Sequence, residues 1–139
     1  MNGREFRPSK SQKRIFNKNR DLNVTAVPPQ FTDEYYALYE KYINTRHHDG
    51  DMYPPTPEQF SAFLIEGGQK GCFYEFRDQS GRLLSLAVTD YLTQGLSAIY
   101  TFFDPEEQRR SLGSYSILWQ LQEVNRLELE YLYLGYWIR

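Results

Sequence analysis

The sequence predicts an α+β fold in which helices pack on both faces of a mixed β-sheet. Three observations support this prediction. Segments of helical periodicity come first, strand-like segments joined by connections too short for a crossover follow them, and one more helix leads to a last strand. The length of 139 residues favours a single domain, and the hydrophobic content of 40% is enough to build its core.

The N-terminal 30 residues lack sustained periodicity, so we interpret residues 1–30 as a basic linker or arm before a domain over residues 31–139. The first twenty residues contain seven Lys or Arg side chains and one acidic residue, Glu5, although the net charge of the whole chain is -2. This asymmetry indicates an arm that meets a polyanion, or a solvated tail.

Two helices are predicted next. The first runs from Asp33 to Asn44 with Thr32 as its N-cap, and the second opens at Thr56-Pro57 and ends at Gly67-Gly68. Apolar residues recur at helical spacing in both. They are Tyr35, Leu38, Tyr39, Tyr42 and Ile43 in the first helix, and Phe60, Phe63 and Leu64 in the second.

Three strands are predicted from Cys72 to Arg77, from Leu83 to Tyr91 and from Leu96 to Phe103. Turn residues separate them at 78–81 and 93–95, so the three form an antiparallel meander.

A long helix from Leu112 to Leu127 and a strand from Tyr131 to Ile138 complete the pattern. The near-continuous apolar character of this strand predicts a central position with both faces covered. With the third strand, the helix and the last strand form a right-handed βαβ unit.

Several classes of protein are excluded or disfavoured. Cys72 is the only cysteine, so no disulfide within the chain and no cysteine metal cluster can form, and a reducing cytoplasm is expected. We expect no signal peptide, and the sequence contains no apolar run of membrane-spanning length. The loop His47-His48-Asp49-Gly50-Asp51 has neither zinc nor calcium spacing, so we expect no metal.

A helix start after the third strand is the strongest local motif. The segment Gln108-Arg109-Arg110-Ser111-Leu112-Gly113 is similar to the Q/R-x-x-G-x-G/A turn of the GNAT acyltransferases, in which backbone N–H groups bind a pyrophosphate. Here Ser111 replaces the first glycine, which weakens any acetyl-CoA assignment. The alternative is an ordinary helix start capped by Ser111.

The whole chain resembles the C-terminal domain of the arginyl- and leucyl-tRNA–protein transferase family, and within it the bacterial leucyl branch. The stretches that carry this resemblance are 6–14, 19–22, 39–47, 49–55, 60–64, 100–105, 111–116 and 131–138. Family members have a Cys-x-x-Cys module before the arm and continue beyond the last strand. We therefore expect this chain to be a fragment, truncated at its C-terminal end, whose activity in isolation is open.

The resemblance implies a GNAT-like fold and an activity. The α-amine of a protein that begins with Asp or Glu attacks the ester of Leu-tRNA, and the leucine that it receives marks the protein for degradation. The partners are then aminoacyl-tRNA and acceptor proteins, with no cofactor, no membrane and no DNA. The alternatives are an arginyl-tRNA–protein transferase, an acetyl-CoA-dependent N-acetyltransferase and a non-enzymatic RNA-binding domain.

Roles for individual residues follow as hypotheses. We expect Tyr100 and Asp104 at the catalytic end of the third strand, with the alternative that Asp104 is a cap or turn residue before Pro105. The 3′ end of tRNA is expected to meet Arg109, Arg110, Ser111, Gly113 and Tyr115, with Tyr115 stacking on the terminal adenine or bonding its ribose.

The acceptor carboxylate requires a cation. Arg46, with His47 beside it, is the candidate, because a guanidinium pairs with a carboxylate through two hydrogen bonds. Arg46 is also placed where a helix C-terminal cation satisfies last-turn carbonyls.

Overall fold

A computed structural model describes residues 6–46, 54–65 and 71–134, without the side chains of Phe63 and Leu134. Four helices and five strands are present in these ranges. In chain order they are α1 Lys10–Lys18, β1 Asn23–Val27, α2 Asp33–Arg46, α3 Pro57–Phe60, β2 Gly71–Arg77, β3 Leu83–Leu92, β4 Gly95–Phe103, α4 Leu112–Arg126 and β5 Tyr131–Leu134. A π-helical turn, Ser61–Ile65, extends α3, and a 3₁₀ turn, Gln108–Arg110, precedes α4.

The strands form one mixed sheet in the order β1-β2-β3-β4-β5. All neighbours are antiparallel except β4 and β5, which are parallel. The predicted meander and the β4–α4–β5 unit are therefore confirmed. Opposite Val88 and Thr89 of β3 the paired residues of β4 are Tyr100 and Ala98, so Ile99 is an extra residue that forms a bulge.

Helices cover both faces of the sheet, which confirms the predicted fold class. Strand β2 shows the alternation, because Phe73 packs with the core of α2 and α3, whereas Tyr74 and Phe76 pack on the opposite face against α1 and α4. Both faces are dry, since these three rings are at most 1% exposed.

The prediction of a central position for the last strand was wrong within the part of the chain that the structure describes. Strand β5 has β4 on one side and ends the strand order. Leu132 is fully buried, but Tyr133 is 42% exposed. A tyrosine ring tolerates such an edge because its hydroxyl reaches water, so an apolar run rich in tyrosine does not require a covered strand.

The structure also differs from the expectation of a linker at the N-terminus. Lys10–Lys18 is a helix with a capping box, in which the Ser9 hydroxyl accepts from the N–H of Gln12 and the Gln12 side chain accepts from the N–H of Ser9. Strand β1 then pairs with β2 along five residues. Both elements are short, so tertiary packing supplies most of their stability.

The predictions for α2 and α3 are confirmed. The N–H of Tyr35 donates to the Thr32 hydroxyl at 3.0 Å, and all five apolar residues predicted for this helix are buried. Thr56 caps α3 in the same way, with Gln59 as the donor. The predicted end at Gly67-Gly68 lies outside the described residues.

Candidate active site

The chain turns sharply where β4 ends, and Asp104 holds this turn. Its carboxylate accepts from the N–H of Glu106 at 3.0 Å, lies 3.1 Å from the Lys41 ammonium and pairs with Arg82. Burial by itself would raise the pKa of Asp104, but the Glu106 N–H, Lys41 and Arg82 outweigh it and lower that pKa. Asp104 is 2% exposed, so this carboxylate is an ionised anchor of the turn.

The backbone of Ser111 has the left-handed conformation, with φ 52° and ψ 50°. Glycine adopts this conformation most easily, and glycine is the residue that the similar GNAT turn has at this position. The Ser111 hydroxyl does not cap α4. It accepts instead from the Lys18 ammonium at 2.9 Å, so the sequence-based alternative of a serine N-cap was wrong.

Helix α4 therefore begins with uncapped N–H groups. Its first intrahelical donor is Tyr115, whose N–H bonds the Ser111 carbonyl at 2.8 Å. The N–H groups before it point out of the helix end, where the helix dipole favours an anion.

A cavity of about 590 Å³ opens at this helix end. Gly113 and the ring of Phe103 shape one side of this cavity. They lie close together, because a Cβ atom on Gly113 would lie 3.3 Å from Cε1 of Phe103. The lining residues are Thr45, Arg46, Phe103, Pro105, Glu107, Gln108, Ser111, Leu112, Gly113 and Ser114.

Arg46 supplies the cation of this cavity from the last residue of α2. Its guanidinium carbon lies 5.2 Å from the centroid of the Phe103 ring, which is within the range of a cation–π interaction. Phe103 packs edge-on against Tyr42 with ring centroids 4.9 Å apart, and burial raises the pKa of Tyr42 to about 12. Arg46 is thus exposed to the cavity above a neutral aromatic layer.

The structure brings together three of the residues singled out from the sequence, namely Arg46, Ser111 and Gly113, which all line the cavity. Arg109 lies on the same turn and is exposed. His47 lies outside the described residues.

Four other candidates do not line this cavity. Arg110 pairs with both carboxylate oxygens of Asp21 at 2.8 and 2.9 Å. Tyr115 is 7% exposed and packs edge-on against Phe16 and Phe76. Tyr100 is 3% exposed beneath Tyr42, and Asp104 holds the turn as described.

Sequence reasoning missed Thr45, Phe103 and Lys18. Phe103 carried no signal beyond its place at a strand end. A sequence signal did exist for the helix that contains Lys18. Its residues Gln12, Ile15, Phe16 and Asn19 follow helical spacing, in a segment that we interpreted as a linker.

Neither a metal cluster nor a membrane span is found in the described ranges. No group of three or more His, Cys, Asp or Glu side chains converges there on a possible ion site. No helix there combines the length and the apolar character that a bilayer crossing requires.

The family is shown by comparison with known proteins. A family model described as "Arginine-tRNA-protein transferase, C terminus" matches residues 34–139. The chain belongs to this family. The matched range contains the whole cavity, from Thr45 to Ser114.

Relatives of the chain include aspartate/glutamate leucyltransferases of Pseudomonas. The protein from Pseudomonas fluorescens Pf0-1 is 58% identical over 135 residues, which are 97% of this chain and 57% of that protein. One from Pseudomonas aeruginosa LESB58 is 54% identical over the same shares. The chain thus spans 57% of the length of these relatives.

Solved structures share the fold at low sequence identity. L-PGS from Bacillus licheniformis aligns over 94% of this chain and 42% of its own, with a TM-score of 0.69 and 12% identity. The ribosomal-protein-S18-alanine N-acetyltransferase from Escherichia coli aligns over 81% and 66%, with a TM-score of 0.54 and 18% identity. The family domain therefore has the fold of N-acetyltransferases.

Proposed function

We propose that the chain is the acyl-transfer domain of an aminoacyl-tRNA–protein transferase, which moves leucine from Leu-tRNA to the α-amine of proteins that begin with Asp or Glu. The observation that carries the proposal is the cavity at the start of α4, in a chain 58% identical to an aspartate/glutamate leucyltransferase. The reaction belongs in the cytoplasm, where aminoacyl-tRNA is made.

The cavity suits two anions. The free N–H groups at the start of α4 suit a phosphate near the 3′ end of the donor. The Arg46 guanidinium suits the side-chain carboxylate of the acceptor, which it can bind through two hydrogen bonds. Both groups line the same cavity, so donor ester and acceptor amine are brought together there.

The chemistry is an aminolysis. The neutral α-amine attacks the carbonyl carbon of the ester, the C–O bond to the ribose breaks, and a peptide bond forms. The nitrogen loses one proton and the ribose oxygen gains one. An α-amine has a pKa of about 7.7–8, so a useful fraction is neutral near neutral pH without a strong base.

Positioning is then the main task of the protein. Holding two reactants in contact supplies roughly 7–11 kcal/mol of the barrier. Asp104 stabilises the fold of the turn beside the cavity and does not contact the reactants, because its carboxylate pairs with Lys41 and Arg82 at the end of β4. Arg110 contributes by fastening the turn to Asp21.

A chimera tests the proposal. This chain replaces the matching 135 residues of the Pseudomonas fluorescens leucyltransferase, and radiolabelled Leu-tRNA and Arg-tRNA are supplied with peptides that begin with Asp, Glu, Lys or Arg. We expect leucine to be transferred to the Asp and Glu peptides only. Transfer of arginine instead identifies an arginyl-tRNA–protein transferase, and a chimera with native circular dichroism that transfers neither amino acid overturns the proposal.

The second candidate is an acetyl-CoA-dependent N-acetyltransferase, which the fold of the solved relatives favours. The helix end that suits a tRNA phosphate also suits the pyrophosphate of coenzyme A. Against it, a serine side chain held by Lys18 occupies the first glycine position of the turn. Titration calorimetry separates the two, because micromolar binding of acetyl-CoA would displace the tRNA proposal.

A further inference from the structure

Helix α1 has two distinct faces. On the inner face Ile15 and Phe16 pack against the hydrophobic cores beside α4, and the ring of Phe16 lies 6.0 Å from that of Tyr115. The outer face is exposed. Its cations are Lys10, Lys13, Arg14 and Lys18.

No acidic side chain among residues 6–46, 54–65 and 71–134 forms an ion pair with these four cations, whereas Arg77 and Arg126 elsewhere on the surface bind glutamates. Within the described part of the chain, no carboxylate therefore compensates the positive charge of this face. Uncompensated charge of one sign raises the local concentration of an oppositely charged partner and speeds its association.

The cationic face is fixed to the rim of the cavity by three contacts. The Lys18 ammonium donates to the Ser111 hydroxyl at 2.9 Å, and the Asn19 amide donates to the Arg110 carbonyl at 2.8 Å. The Arg110 guanidinium pairs with Asp21. From Lys18 at the rim, the helix carries positive charge outward to Lys10 over about 12 Å, at roughly 1.5 Å per residue.

We propose that the outer face of α1 is the docking surface for the duplex stem that adjoins the aminoacylated 3′ end of tRNA. This inference rests on the proposed function. A donor whose end lies in the cavity continues past the rim as a regular polyanion, and lysine and arginine side chains are the usual ligands of nucleic-acid phosphates.

The structure favours RNA over an anionic membrane surface. A basic amphipathic helix binds lipid by inserting its apolar face between the head groups. Here Phe16 is already packed against Tyr115, so only charge is presented outward. Phosphate contacts without base contacts also suit a double-stranded stem, which proteins recognise mainly by shape and backbone.

The test compares two charge-matched double variants of this chain. K10Q/R14Q removes two cations from the outer face, and glutamine preserves helix propensity. Q122E/N125D changes the formal charge equally at two exposed residues near the far end of α4. The affinity of deacylated tRNA and of Leu-tRNA is measured by fluorescence anisotropy as a function of salt.

We expect K10Q/R14Q to bind both tRNAs on the order of tenfold more weakly at 0.1 M salt, and to lower the slope of log K against log salt by about 1.4–1.8. The Q122E/N125D slope stays that of the unmodified chain. A leucylated CCA trinucleotide ends before the stem. For this ligand we expect K10Q/R14Q and the unmodified chain to have nearly the same affinity.

The proposed docking surface is wrong if the two variants have equal slopes of log K against log salt. It is also wrong if the unmodified chain binds no tRNA. Binding to phosphatidylglycerol vesicles that K10Q/R14Q abolishes, with tRNA binding unchanged, also overturns it in favour of a membrane. The proposed function is tested separately by the chimera described above. If the chimera transfers no leucine although K10Q/R14Q and Q122E/N125D differ in tRNA binding, the function is wrong and the docking surface is retained.

Discussion

The Arg46 guanidinium lies 5.2 Å from the centroid of the Phe103 ring, and this contact joins the end of α2 to the end of β4. The same ring faces Gly113 at the start of α4. Helix α2 therefore meets β4 and α4, which lie far from it in sequence, around one aromatic side chain. The shape and the charge of the cavity depend on that meeting.

Replacing Arg46 is expected to impair transfer and to leave stability nearly unchanged. R46A removes the cavity cation, so we expect kcat/KM for an Asp peptide to fall at least about tenfold, and R46K to be intermediate because lysine lacks the planar fork. The free energy of unfolding should change by less than about 0.5 kcal/mol. N44A, at an exposed position of the same helical turn, serves as the control. A lower melting temperature with unchanged transfer would show that Arg46 only caps the helix.

The substitution G113A tests the close approach of α4 to Phe103. The added Cβ atom meets the ring at 3.3 Å, so the ring and the Arg46 above it must shift by a few tenths of an ångström. We expect weaker donor binding, with a stability change below about 1 kcal/mol because alanine also favours the helix. N125A, at an exposed position of the same helix, controls for helix propensity. Donor affinity equal to that of the unmodified chain would exclude Gly113 from the site.

Asp104 is expected to act through stability rather than as a base. D104N leaves Lys41 and Arg82 without their shared anion, which should cost about 1–3 kcal/mol in the free energy of unfolding. Transfer per folded molecule should stay within about threefold. The control E106Q removes an exposed partner of Lys41. A loss of transfer of 100-fold or more in folded D104N would restore the catalytic role predicted from the sequence.

The same carboxyl predicts a pH dependence of stability. Burial opposes its charge, but the Glu106 N–H, Lys41 and Arg82 lower the pKa of Asp104 below the ordinary value of 3.8. The stabilisation is therefore complete above about pH 3.8 and is lost as the pH falls through the lowered pKa. Urea unfolding of the unmodified chain and of D104N should give free energies of unfolding that differ by a constant amount above this pH and converge below it. A constant difference down to pH 2 would contradict the assignment.

The pair of Asp21 and Arg110 is expected to hold α1 against the turn. Asp21 is 41% exposed on its side chain, so water screens the interaction and a double-mutant cycle with D21A and R110A should give a coupling of about 0.5–1 kcal/mol. Urea unfolding measures this coupling. No coupling, together with a loss of tRNA affinity in R110A that D21A does not share, would instead support a direct phosphate contact by Arg110.

Tyr115 provides a further test, because its ring lies in the core and not in the cavity. Burial raises the pKa of its hydroxyl. We expect Y115F to keep transfer within about twofold, and Y115A to lose about 3–5 kcal/mol of stability as a large core cavity forms. A tenfold loss of transfer in folded Y115F would indicate that the hydroxyl binds the donor, as predicted from the sequence.

Much of the fold and part of the site follow from local patterns in the sequence. The face of α2 was predicted residue by residue, since burial there repeats with the period of the helix. The turn at Ser111 was found because it resembles a known motif that lies between a predicted strand end and a predicted helix start within a few residues. Ser111 and Gly113 therefore needed no long-range information.

The tertiary structure alone decided which charged groups are free and which are used in packing. Sequence assigned Arg109 and Arg110 the same role, but Arg110 binds Asp21, about ninety positions away, and Arg109 remains exposed. Likewise Lys18 meets Ser111 only because α1 folds onto α4. An ion pair depends on the distance between two side chains in space, and sequence spacing predicts that distance only within a helix, a strand or a turn.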